Sequence, residues 1–367
     1  METKLHIEPI QNWPIYKGRP LLISGPCSAE TEEQVMQTAF QLAKLNKVDV
    51  FRAGIWKPRT RPNAFEGVGT EGLKWLKQVK QETGLPTGTE VATQKHVYEA
   101  LKFGIDVLWI GARTSANPFA IQEIAEALKG VDTMVFVKNP VNPDLELWIG
   151  AIERLNAAGI KYIGAIHRGF SAYEKTVYRN QPKWQIPIEL RLRIPELPLL
   201  CDPSHIGGAR DFLFDIAQKA MDLNYDGLML ESHISPSSAW SDKNQQVTPT
   251  ELLGLLDKLI LRQPLSSDSK FLDILGELRG QIDMFDDQLI DLMEQRMNVA
   301  ETIGKYKKDN NITILQNQRW EEIIRKVATK GLNKGLSEEF IDQMFKAIHQ
   351  ESINHQIKVM NAGNTKN

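Results

Sequence analysis

Residues 107–129 read VLWIGARTSANPFAIQEIAEALK, and the way this stretch divides decides the fold. Val107–Ala112 (VLWIGA) is a short apolar run that meets Arg113 at its end, whereas Asn117–Lys129 is amphipathic and helix-like. A brief, fully apolar run bounded by glycine reads as a buried parallel strand, and the segment after it as the helix that covers it. The couplet recurs outward in both directions. Further apolar runs are Leu21–Pro26 (LLISGP), Val48–Ile55 (VDVFRAGI), Pro86–Val91 (PTGTEV), Thr133–Lys138 (TMVFVK), Lys161–Arg168 (KYIGAIHR), Leu197–Asp202 (LPLLCD) and Gly227–His233 (GLMLESH). Helix-like stretches between them include Glu30–Asn46, Gly67–Thr83, Asp144–Ala158 and Ala209–Leu223. Eight strands, each followed by a helix, over roughly 250 residues predict an α/β fold of the (β/α)8 TIM-barrel type. A doubly wound open sheet is the alternative, but no Gly-rich dinucleotide fingerprint follows any of the runs.

Composition changes near residue 264. All 18 prolines and seven of the 8 tryptophans lie at or before Pro264. The Ser- and Asp-rich stretch that follows reads as a linker, 265–270, and the Pro-free remainder, 271–367, as a small all-α domain. The barrel is therefore expected over 1–264. The 44 Lys and Arg nearly cancel the 46 Asp and Glu, leaving a net charge of -2, so no field exists to hold nucleic acid or an anionic membrane. The first residues, METKLHIEPIQNWP, lack the pattern of a secretory leader, and no apolar span of membrane length occurs. With only 2 cysteines, Cys27 and Cys201, a disulfide framework is excluded and a cytoplasmic protein expected.

The chemically active side chains of the first domain fall at the carboxyl ends of the strands, where barrel catalysts sit. In order they are Cys27; Arg52, Lys57, Arg59 and Thr60; Glu90; Ala112 and Arg113; Lys138; His167 and Arg168; Asp202 and His205; and Glu231 with His233. Six cations (Arg52, Lys57, Arg59, Arg113, Lys138, Arg168) suit substrates with several negative charges, since Arg grips phosphate or carboxylate in a fork and Lys acts as a point charge. Cys27, His205, Glu231 and Asp242 form a mixed S/N/O set from strands 1, 7 and 8. Such a set suits one divalent ion of the Mn, Fe, Co or Zn class.

Gly25-Pro-Cys-Ser28, Arg52-Ala-Gly-Ile-Trp-Lys-Pro-Arg-Thr60, Ile110-Gly-Ala-Arg113, Asp202-Pro-Ser-His-Ile-Gly-Gly208 and Glu231…Ser241-Asp242, taken in order, resemble 3-deoxy-D-arabino-heptulosonate 7-phosphate (DAHP) synthase of type I beta. The alternative barrel is 3-deoxy-octulosonate 8-phosphate synthase; Lys57-Pro-Arg-Thr60 favours the former, because the octulosonate enzymes typically carry Lys-Ala-Asn-Arg there. The resemblance implies Cys27, His205, Glu231 and Asp242 as metal ligands. It puts Arg113 and Arg168 on the phosphate of phosphoenolpyruvate, with Arg52, Lys57 and Lys138 near its carboxylate and reacting carbons. Arg59 and Thr60 take the phosphate of erythrose 4-phosphate, Ala112 and Asp202 belong to the substrate site, and Glu90 or Lys57 handles the water and its proton.

From Leu275 an apolar seam alternates steps of three and four: Leu275, Leu278, Ile282, Phe285, Leu289, Leu292, then Arg296, then Val299, Ile303 and Tyr306. This is one helix of roughly 50 Å, too long to cover its own seam, so a partner helix is implied. Arg296 breaks the seam and needs an anion; Lys307 lies on nearly the same face, and Arg279 is turned roughly 100° away. A last helix, about Ser337–Met360, has Ser352 and Gln356 one turn apart within its seam, describing a polar pocket inside a bundle. The tail resembles the all-helical chorismate mutase at Arg279, Arg296, Lys307, Arg319, Ser352 and Gln356. That implies an intertwined homodimer in which Arg279 reaches across, with Lys307 and Gln356 facing the ether oxygen of chorismate. Two positions depart: many relatives have Asp where Gln316 stands and Glu where Trp320 stands, so their contacts to the substrate hydroxyl do not carry over. The expected protein is a bifunctional shikimate-pathway enzyme whose mutase domain also senses chorismate or prephenate as feedback. The alternative tail is a non-catalytic regulatory module.

Overall fold

The computed structural model of the chain describes residues 5–57, 65–173 and 176–362, without the side chains of Asn317 and Gln318. It divides into two compact units, Met1–Pro264 and Leu265–Asn367. In the first, the strands are β1 (Leu21–Gly25), β2 (Val50–Arg52), β3 (Thr87–Val91), β4 (Val107–Ile110), β5 (Met134–Lys138), β6 (Ile163–His167), β7 (Leu199–Cys201) and β8 (Gly227–Glu231). Each lies within its expected run. All pair in parallel, and β8 closes on β1 from Leu21↔Gly227 to Gly25↔Glu231, which excludes the open sheet.

The helices of this unit are α1 (Glu32–Lys44), α2 (Glu71–Thr83), α3 (Gln94–Lys102), α4 (Ala112–Ser115), α5 (Pro118–Leu128), α6 (Leu145–Ala157), α7 (Gln185–Arg193), α8 (Pro203–Gly207), α9 (Leu213–Asp222) and α10 (Pro249–Leu256). Their starts are set by caps: Thr31, Thr93 and Asp144 accept from backbone N–H groups of α1, α3 and α6, and Thr248 with Glu251 forms a reciprocal capping box at α10. The stretch Ala209–Leu223 is not one helix; a 3-10 turn, Arg210–Phe212, precedes α9.

Strand side chains alternate between two cores. Leu21, Ile23, Val50, Val107, Trp109, Phe136, Ile166, Leu200 and Met229 fill the barrel, whose lower end is plugged by Ile10, Trp13 and Ile15. Leu22, Phe51, Leu108, Val135, Ala165, Cys201 and Leu228 pack outward under the helices. Room inside comes from small residues: a Cβ at Gly164 would lie 2.4 Å from the Phe136 ring. Continuing the inward parity one step toward the carboxyl ends reaches Arg52, Glu90, Lys138, Arg168, Asp202 and Glu231. The barrel thus finishes in a polar layer on top of an apolar one.

The second unit holds α11 (Ser269–Asp309), α12 (Asn317–Leu332) and α13 (Glu338–Asn361). Asp268 caps α11 and Ser337 caps α13. Contact between α11 and α13 buries Met297 and Ala300 against Ser352 and Gln356. Gly304 permits this approach, since a Cβ there would stand 3.2 Å from Gln356 Cα. The first half of α11 is different: Leu278, Ile282, Phe285, Leu289 and Leu292 are each about half exposed within one chain. Among the described residues, no helix is long and apolar enough to cross a membrane.

Candidate active site

The polar layer holds itself together by opposite charges. Glu231, fully buried, faces Arg52 Nη1 at 3.3 Å and accepts from Gln245 Nε2 at 2.7 Å. Burial raises its pKa, but His205 and Arg52 outweigh burial and leave it lowered. Asp202, at the end of β7, accepts from Lys138 Nζ at 2.8 Å and from the backbone N–H of His205 at 3.0 Å. Here too burial is overcome, by His205 and Lys138, and the carboxyl sits well below its usual range. The Arg52 guanidinium lies over the Trp109 ring at 4.8 Å and the Lys138 ammonium at 6.0 Å. Trp109 Nε1 in turn donates to Glu90 Oε2 at 3.0 Å. One indole therefore stands beneath two cations and beside a carboxylate.

Cys27 joins this group from the loop after β1. Its thiol donates to Asp242 Oδ2 at 3.1 Å and accepts from Lys57 Nζ at 2.7 Å, while its carbonyl accepts from Arg52 Nη2 at 2.9 Å. Burial, with Glu231 next in importance, pushes the thiol up to about 12. Asp242 goes the other way: burial raises it, and Arg179, His205 and Lys57 together hold it far below the usual carboxylate range. The His205 imidazole stands between carboxylates, Nδ1 2.8 Å from Asp202 and Nε2 3.8 Å from Glu231. The four expected ligands thus face one mouth as a Cys27–Asp242 pair and a His205–Glu231 pair. Among the described residues no three His, Cys, Asp or Glu side chains stand closely enough to hold a metal in this arrangement. The donor chemistry, one sulfur, one imidazole nitrogen and two carboxylates, fits a divalent ion, and Arg52, Lys57 and Arg179 bring positive charge to three of the four groups, Glu231, Cys27 and Asp242.

Arg168 Nη1 donates to Asn180 Oδ1 at 2.7 Å, and burial lowers its pKa to about 10, with Arg179 and Arg113 opposing its charge further. Arg113 is exposed on α4, whose first residue is Ala112. Arg59 and Thr60 lie outside the described residues. His167, grouped by sequence with the strand-end chemistry, belongs elsewhere: it has outward parity and packs among Phe170, Trp184 and Tyr225. Its Nε2 meets Pro182 O at 2.6 Å and its Nδ1 the Tyr225 hydroxyl at 3.1 Å. Sequence reasoning missed Arg179, which donates to Asp242 Oδ1 at 2.8 Å and Gln245 Oε1 at 2.7 Å, and Gln246, which accepts from Cys27 N–H at 2.9 Å. These sit on long loops, away from any strand end, and no spacing marks them.

In the helical unit, Arg296 Nη1 donates to Ser352 Oγ and Lys307 Nζ to Ile314 O at 2.5 Å. Burial lowers both cations. Gln356 Nε2 donates to Ser352 O at 3.3 Å. Arg296, Ser352 and Gln356 are linked in this way, and Lys307, like Arg296, lies near enough to act on the charge of His349; Arg279 and Arg319 do not join them. Arg279 is exposed, and Arg319, also exposed, pairs with Glu322 at 3.0 Å.

Residues 7–261 match the DAHP synthetase I family. The chain belongs to that family. Residues 278–357 match chorismate mutase type II, so a mutase domain follows the synthase barrel. A phospho-2-dehydro-3-deoxyheptonate aldolase from Thermotoga maritima is 30% identical over 262 residues, covering 71% of this chain and 72% of the relative. A 2-dehydro-3-deoxyphosphooctonate aldolase from Variovorax paradoxus is 27% identical over 277 residues, 69% of this chain and 93% of its own. The crystal structure of the Thermotoga maritima aldolase (DAHP synthase) superposes with a TM-score of 0.59 at 28% identity, over 70% of each chain.

In the synthase barrel, His167 supplies a pH signature. Burial pulls it to about 4 from an ordinary 6.5. The unfolded chain therefore takes up a proton here before the folded one, so stability tied to the neutral ring is complete above about pH 6.5 and lost as pH falls toward about 4. The full loss is about 3 kcal/mol. Urea unfolding should give His167→Gln a shallower decline over that window than the unaltered chain; parallel declines would reject the assignment.

Proposed function

We propose that this chain condenses phosphoenolpyruvate with erythrose 4-phosphate to DAHP and phosphate in the barrel, and rearranges chorismate to prephenate in the tail. It works in the cytoplasm as a homodimer joined through the mutase domain. The observation that carries the first reaction is the gathering of Arg52, Lys57, Lys138 and Arg168 around the Cys27, His205, Glu231 and Asp242 mouth. Arg168 and Arg113 bind the phosphate of phosphoenolpyruvate, and Arg52 with Lys138 its carboxylate. Arg59 and Thr60 bind the phosphate of the aldose. C3 of phosphoenolpyruvate attacks the aldehyde carbon, water adds at C2, and phosphate departs with its C–O bond broken. Glu90 positions that water, and Lys57 or Glu90 moves its proton. A divalent ion of the Mn, Fe, Co or Zn class, held by Cys27, His205, Glu231 and Asp242, would supply Lewis-acid polarisation of the aldehyde. Loading it requires Cys27 to give up its proton, so uptake should release acid.

For the tail, Arg296 and Arg319 with Arg279 of a second copy fix the two carboxylates of chorismate, and Lys307 with Gln356 faces the ether oxygen as its bond breaks. No nucleophile is needed. The half-exposed stripe of α11 supports the dimer: each large apolar side chain fully covered contributes about 1.5–3 kcal/mol. Prephenate bound in this domain is proposed to restrain the barrel through differential affinity for its states.

Chelation should abolish condensation, added divalent ion should restore it, and Cys27→Ala should fail to respond to the ion while keeping its circular-dichroism spectrum. Full turnover after chelation, or faster use of arabinose 5-phosphate than of erythrose 4-phosphate, would overturn the synthase reading. Arg296→Ala should lower chorismate disappearance at least about a hundredfold, as expected when a charge that orients the reacting groups is removed. Unchanged mutase rate would leave the tail as a regulatory module. Prephenate should slow condensation by the full-length chain; a rate indifferent to prephenate ends the sensing proposal.

A further inference from the structure

His349 stands on the same stripe of α13 as the mutase residues, three positions before Ser352 and seven before Gln356. Its imidazole lies flat on Trp320 of α12, with ring centroids 4.0 Å apart and planes 18° from parallel. The stack fixes the ring plane and leaves its edge as the part available to a ligand. On that edge Nε2 is buried and has no hydrogen-bond partner among the described residues, and the same is true of Gln356 Oε1. Native folds seldom leave buried polar atoms unmatched, so two on one stripe of α13 point to a ligand that completes them. Burial, followed by the charges of Arg296 and Lys307, lowers the pKa of the ring and so favours its neutral form. A neutral imidazole can donate or accept one hydrogen bond at Nε2 without adding a further charge.

We infer that His349 is a substrate-binding residue of the mutase site, its Nε2 hydrogen-bonded to the ring hydroxyl of chorismate. The inference rests on the mutase reading above. Chorismate offers two carboxylates, one ether oxygen and one hydroxyl. Cations take the carboxylates, Lys307 and Gln356 Nε2 face the ether oxygen, and the hydroxyl, which can both donate and accept, is the group left for His349 Nε2 and Gln356 Oε1. Trp320 cannot accept a hydrogen bond, but it holds the imidazole that can. The bond orients the ring and transfers no proton.

The test uses the full-length chain. His349→Phe keeps the stack and removes both nitrogens, whereas His349→Gln returns a polar end. Mutase kcat/KM of the phenylalanine variant should fall about tenfold or more, because the hydroxyl loses its partner in a buried site. The glutamine variant should recover part of the loss, with melting temperatures unchanged in both. On an analogue lacking the ring hydroxyl, the phenylalanine variant and the unaltered chain should perform alike. Equal rates on chorismate, or an equal loss on the analogue, would overturn the inference. If the unaltered chain does not turn over chorismate, the mutase reading fails by itself. Calorimetric binding of prephenate then decides on His349, and affinity unchanged by His349→Phe would reject it. Should His349→Phe not fold, His349→Leu takes its place with the same outcomes.

Discussion

The carboxylate of Glu231 is the group on which the barrel mouth depends. It has no exposure to water, and an isolated carboxylate in such a place is prohibitively costly. Arg52 at 3.3 Å, Gln245 at 2.7 Å and His205 at 3.8 Å make it tenable, and each of these is held in turn. Arg52 rests on Trp109 and on the Cys27 carbonyl; Gln245 accepts from Arg179; His205 is fixed by Asp202, which holds Lys138. The polar layer is one connected network, so removing a single member leaves another charge buried and unpaired.

The two units solve the same electrostatic problem differently. The barrel sets three cations and three carboxylates at six inward positions at the end of a closed sheet, and buries Arg52, Lys138, Asp202 and Glu231 among them. The tail links Arg296, Ser352 and Gln356, with Lys307 and His349 close by, and leaves Arg279 and Arg319 exposed, Arg279 on the helix that carries the half-exposed apolar stripe. In the homodimer proposed above, the surface that would meet a second copy is the same long helix that carries Arg279 and Arg296.

The barrel was legible because a fully buried strand has a strong signature: a short apolar run, a glycine, then a charge. Parity was not read. Grouping residues by strand end alone placed His167 with Arg168, yet consecutive residues on a strand point to opposite sides, and only Arg168 points inward. Lys138 and Asp202 read as separate substrate contacts, whereas burial obliges them to pair first. Arg179, Gln245 and Gln246 were invisible because their placement depends on how loops after β6 and β8 fold over the mouth, which has no period. In the tail the helices were legible from their seams, but Arg319 was placed by likeness to a dimeric family, and in one chain its nearest anion is Glu322, a turn away on its own helix. His349 was silent because a histidine within an amphipathic helix carries no signal until its stacking partner is known.

Lys57 carries the strongest tension in the proposed reaction. Its ammonium lies 2.7 Å from the Cys27 thiol and 3.1 Å from the Cys27 carbonyl, so it compensates the carboxylates around that thiol. The same side chain is proposed to act on the reacting carbons and their water. It cannot do both from one position, because a single ammonium directs its donors to one set of acceptors at a time. A divalent charge among Cys27, His205, Glu231 and Asp242 would take over the compensation and repel the ammonium, freeing it toward the substrate side of the mouth.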